Sequence, residues 1–68
     1  MPKTADTFAA RLAAARTRAG LSVAALADRA GLHRDTLHKL ERGDRQPSLA
    51  VAQALARALG VELQTLSP

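Results

Sequence analysis

The sequence contains no cysteine. Disulfides and thiolate metal sites are therefore excluded, and a reducing, cytoplasmic setting is expected. Tryptophan and tyrosine are also absent, and the single aromatic is Phe8. Any core must then be built from aliphatic side chains of small volume. Sixteen residues are alanine, which favours helix but fills little space. No apolar run approaches the ~18 residues of a membrane span, so no membrane partner is expected. The first eight residues, MPKTADTF, hold no apolar signal-peptide core. The two histidines, His33 and His38, are five residues apart. That spacing does not put them on one helical ridge, and neither a metal nor a cofactor is expected. Nothing resembles a nucleophile–base pair or a Gly-rich phosphate loop, so the chain is not expected to be an enzyme.

What remains is a 68-residue chain, enough for a single domain spanning 1–68. A chain this short buries only about 60% of its unfolded surface. Partners that bind the folded state then add materially to its stability. Acidic residues are few, six against ten Lys and Arg, and the imbalance is local. Residues 1–45 carry nine of the basic and five of the acidic side chains, a balance of +4. Residues 46–68 carry Arg57 and Glu62 and balance to zero. A basic excess confined to one part of a small domain fits a polyanionic partner.

The apolar periodicity is helical throughout. The first helix is predicted over about 6–19, capped by Thr4 or Asp6 and stopped at Gly20, with Phe8, Leu12, Ala15 and Ala19 inward. The second spans about 23–30 behind Ser22. The third spans 34–42 and stops at Gly43. The fourth begins after Ser48 and stops at Gly60, with Leu49, Ala52, Leu55, Ala56 and Leu59 inward. A short turn over 61–66 closes the domain.

The segment from Ser22 to Gly43 is the most informative. Counting Val23 as first, Leu26 and Ala27 fall fourth and fifth, Ala30 eighth, Gly31 ninth and Leu32 tenth. Leu37 and Leu40 fall fifteenth and eighteenth. Ala27 is small where two helices must cross closely. Gly31 can take the positive φ of a tight turn between them. Leu26, Leu32, Leu37 and Leu40 make the shared core. This is the pattern of a helix-turn-helix.

The same residues carry a family resemblance. RTRAGLS (Arg16 to Ser22), Leu26-Ala27, Gly31-Leu32, Glu41-Arg42-Gly43, Pro47-Ser48 and Ala58-Leu59-Gly60-Val61 resemble the XRE family of Cro- and phage-repressor-like domains. The likeness covers about residues 6–66. It implies an all-α, five-helix lambda-repressor-like domain that binds operator-like double-stranded DNA, usually as a homodimer. It also implies that Glu41, on the inner side of the third helix, pairs with Arg16. Two positions depart from the family pattern. Val23 replaces a glutamine that contacts phosphate in relatives, and His33 replaces the usual Ser or Thr cap.

At ~100° per residue, Leu37, Leu40 and Glu41 share one side of the third helix. Asp35, His38, Lys39 and Arg42 share the other, with Arg34 at its edge, and Arg34, Asp35, His38 and Lys39 are the expected base readers. Arg34 offers a fork of donors to guanine, Lys39 a cation, Asp35 an acceptor for cytosine and His38 a donor. Asp35 and Lys39 could instead form an exposed i,i+4 ion pair. Expected phosphate ligands are Ser22 at a helix N-terminus, Thr36, Arg42, Arg45 and Gln46, with Arg18 and then Arg11 weaker. Leu63 and Leu66, where polar residues are scarce, are the expected dimer surface. The resulting expectation is a cytoplasmic transcriptional regulator, in family terms a repressor. The alternative is a protein-interaction module, or an antitoxin that uses the same domain to bind a toxin.

Overall fold

The structure, a computed structural model, describes residues 7–67. Five helices form among them, and no strand: α1 (Phe8–Arg18), α2 (Val23–Ala30), α3 (Arg34–Arg42), α4 (Leu49–Leu59) and α5 (Leu63–Leu66). The chain is all-α with the lambda-repressor-like arrangement.

Each helix has a local cause. Ser22 and Ser48 cap α2 and α4, their Oγ atoms accepting the Ala25 and Val51 amides at 3.0 and 3.1 Å. Thr7 caps α1, accepting the Ala10 amide at 3.1 Å. The first helix therefore starts at Phe8 rather than near residue 6; the expected caps Thr4 and Asp6 lie outside the described residues. His33 forms no side-chain cap for α3. The Gly31 turn adopts φ +71°. Its amide donates to the Asp28 carbonyl and the Leu32 amide to the Ala27 carbonyl, at 3.2 and 2.8 Å. These two bonds close the end of α2 and send the chain sharply into α3.

The core is leucine on alanine. Leu12, Leu26, Leu37, Leu40, Leu55 and Leu66 are essentially fully buried, with Ala15, Ala27, Ala52 and Ala56 between them. Phe8, Leu21, Leu32, Leu59 and Leu63 pack partly buried around the cluster. α2 packs against both α3 and α4, while α1 packs against α3 and α5. The recognition segment is thus held from two sides.

Two inward assignments and one outward assignment change. Ala19 is exposed because it is the C-cap residue, beyond the last turn of α1. Leu49 is 65% exposed. It is the first residue of α4, and Cβ atoms tilt toward the helix N-terminus, so its side chain projects off the end rather than over the core. Leu66 is 0% exposed. It belongs to the chain's own core and is not available to a dimer surface.

Candidate nucleic-acid interface

Burying Leu37 and Leu40, with Glu41 beside them, on one side of α3 turns the opposite side outward. Arg34, Asp35, His38, Lys39 and Arg42 are all exposed. Asp35 lies in the first turn of α3 and Lys39 and Arg42 in the last, as the helix dipole favours. Asp35 and Lys39 do not pair with each other. Among the described residues, Arg34, Asp35, His38 and Lys39 make no side-chain hydrogen bond or ion pair. Four uncommitted polar side chains therefore cover one helical face: two cations, a carboxylate and an imidazole.

The flanks of this face are less uniform. Ser22 uses its oxygen to cap α2, which leaves the hydroxyl hydrogen free to donate. Thr36 is half-buried and lines a shallow pocket of about 140 Å³ with Leu40, Arg45, Gln46, Pro47, Ser48 and Val51. This pocket joins the inner edge of α3 to the loop before α4, so Thr36, Arg45 and Gln46 are neighbours. Arg42 is not free: its Nε lies 3.0 Å from Asp44 Oδ2. Arg18 is exposed but sits with Ala15, Ala19, Leu59, Val61 and Thr65 over the seam between α1 and the C-terminal helices. No α3 residue lines that depression, so Arg18 stands apart from the group of Thr36, Arg45 and Gln46. Arg11 shares a neighbouring depression with Arg18 and Thr65 and lies on the same seam.

Behind the face is a single clamp. Arg16 Nε donates to Glu41 Oε2 at 2.7 Å and its NH2 to Oε1 at 3.1 Å. Its NH1 donates to the Leu21 carbonyl at 2.9 Å. The side chains are 20% and 12% exposed. One guanidinium thereby joins α1, the turn before α2 and the inner side of α3. Hydrogen bonding to Glu41 raises the Arg16 pKa above its usual range; burial opposes the shift and the coulombic attraction adds to it.

Two features escape sequence reasoning. The Arg42–Asp44 pair is one, although an acid two residues beyond a helix-terminal arginine was a visible signal. The Leu21 carbonyl contact is the other, and no side-chain pattern announces it. Among the described residues no group of His and acidic side chains could hold a metal ion, and no helix is long and apolar enough to cross a membrane.

Comparison with known proteins agrees with this geometry. A helix-turn-helix family model matches residues 12–66. The chain belongs to this XRE-type helix-turn-helix family of DNA-binding transcriptional regulators. An uncharacterized HTH-type transcriptional regulator of Methanothermobacter thermautotrophicus is 47% identical over 47 residues, covering 69% of this chain and 68% of that protein. The chain is also similar to the restriction-modification controller protein C.AhdI from Aeromonas hydrophila, whose crystal structure is known. The two share 42% identity with a TM-score of 0.85 over 87% of this chain and 89% of that one.

Proposed function

We propose that this chain is a sequence-specific transcriptional regulator that inserts α3 into the major groove of a palindromic operator as a homodimer. The observation that carries this reading is the uncommitted outer face of α3. Asp35 and Lys39 stay unpaired, so all four polar groups are open to the donors and acceptors of a duplex. Arg34, Asp35, His38 and Lys39 read bases. Ser22, Thr36, Arg45 and Gln46 hold phosphates on either side, and Arg42 can join them once released from Asp44. Likeness to a restriction-modification controller over nearly the whole chain supports a regulatory role of the same class. The site of action is the cytoplasm, where such DNA is found.

The dimer surface proposed is the groove beside Leu49. It has a volume of about 550 Å³ and is lined by Phe8, Pro47, Leu49, Ala52 and Leu63 among uncharged polar neighbours. A two-fold interface needs a patch complementary to itself. Here a projecting leucine stands next to an apolar hollow on the same face. The surface also lies in the neutral third of the chain, where two molecules of net charge +4 meet with least repulsion. To engage one duplex, the two α3 helices of such a dimer must lie on one side of the assembly. Half-sites would then lie about one helical turn, ~10 bp, apart.

Binding of a labelled duplex across a salt series, with sedimentation of the protein alone and on DNA, tests both parts. A steep fall in affinity with salt and two chains per operator are required. Salt-insensitive association would point to a protein partner, and a monomer with and without DNA would remove the dimer.

A further inference from the structure

Asp44 occupies a position that neither the core nor the reading face explains. Four helices end in the same way, with a positive-φ glycine and then a residue whose amide returns to the last turn. At three of these ends that residue is apolar, Leu21, Leu32 or Val61, and packs against the core. After α3 it is Asp44, 60% exposed at the side chain. Its amide donates to the Lys39 carbonyl at 2.9 Å, which fixes the backbone against the end of α3. A carboxylate there gains no packing and sits at the negative end of the helix dipole. What it does reach is Arg42, at 3.0 Å.

Arg42 is the last residue of α3 and continues the line of Asp35 and His38 on its exposed face. It is the one arginine there that is already neutralised. We propose that Asp44 is a specificity-setting residue: it masks Arg42 from the phosphates of random DNA and yields it only in the cognate register. The inference rests on the DNA-reading role of α3 proposed above. An exposed ion pair holds weakly. A phosphate aimed at the arginine by base contacts elsewhere displaces the carboxylate. A phosphate met at random on a sliding duplex does not repay the loss of the pair together with the approach to a second negative charge. Masking therefore lowers non-specific affinity more than specific affinity, which is the ratio that matters when non-specific sites are in excess.

The test is a salt series on Asp44→Asn with a random duplex and with the operator that binding selection yields. Asp28→Asn, an exposed acid on α2, is the control for simple loss of charge. Asp44→Asn should tighten random-duplex binding roughly two- to fivefold, the range of an exposed pair. It should also steepen the salt slope by about 0.9, one further phosphate, and change operator binding less. Asp28→Asn should move both duplexes alike. In an Arg42→Gln background the effect of Asp44→Asn should vanish. Asp44→Asn acting equally on both duplexes, having no effect, or persisting without Arg42 would overturn the inference while leaving DNA reading intact. A wild-type chain that binds no duplex would overturn both.

Discussion

Arg16 and Glu41, twenty-five residues apart, meet through two hydrogen bonds of 2.7 and 3.1 Å behind the recognition helix. The third hydrogen bond of Arg16, to the Leu21 carbonyl, anchors the start of α2 to the same guanidinium. The distance between Ser22 and the outer face of α3 is thus set partly by one side chain. Glu41→Ala leaves that guanidinium largely enclosed with a single partner. Breaking such a pair from one side should cost about 1–3 kcal/mol, less than for a fully buried pair because both groups keep solvent contact. Chemical denaturation of the two proteins measures it, and a loss below ~0.5 kcal/mol would show that the clamp is incidental.

Arg34 and Arg45 are expected to fail differently when truncated. Arg34→Ala should weaken the operator by ~1–3 kcal/mol and relax preference at one base pair per half-site, whereas Arg45→Ala should weaken all sequences evenly. Titrations of operator and random duplex with both variants separate the two. Equal losses on both duplexes for Arg34→Ala would remove it from the reading set.

Gly31 tests the turn itself. At φ +71° an added Cβ meets nothing within 4 Å. Gly31→Ala should therefore carry the backbone cost alone, about 1–2 kcal/mol, seen as a lowered Tm with an unchanged helical spectrum. A neutral result would mean that the left-handed conformation is not required there.

Leu49 and Leu63 face the same groove, but only Leu49 is largely exposed in the single chain. Leu49→Glu should shift sedimentation toward monomer and weaken operator binding while leaving the folded monomer intact. A dimer that survives Leu49→Glu would place the interface elsewhere.

Helices α2 and α4 were legible in the sequence because each is bracketed by unambiguous local chemistry, and α3 because of its stop and its apolar spacing. Ser22 and Ser48 each mark the start of the helix C-terminal to them, and Gly31, Gly43 and Gly60 supply the stops. The outer face of α3 came from the spacing of Leu37 and Leu40 alone. The start of α1 was not legible, since local capping preference ranks Asp6 above Thr7, whereas Thr7 takes the role. Periodicity also assigns an angle around a helix but not a cover. Leu49 has an inward angle and no neighbour above it, and α5 is too short for a period to show that Leu66 turns inward.

The central claim is that the exposed face of α3 reads base sequence. Selection from a random DNA pool, run in parallel with the wild-type chain and Arg34→Ala, tests it most directly. The wild type should enrich a two-fold symmetric motif with half-sites about 10 bp apart, and Arg34→Ala should yield the same motif with one position per half-site degraded. No enrichment by the wild type, or an identical motif from both proteins, would contradict the claim.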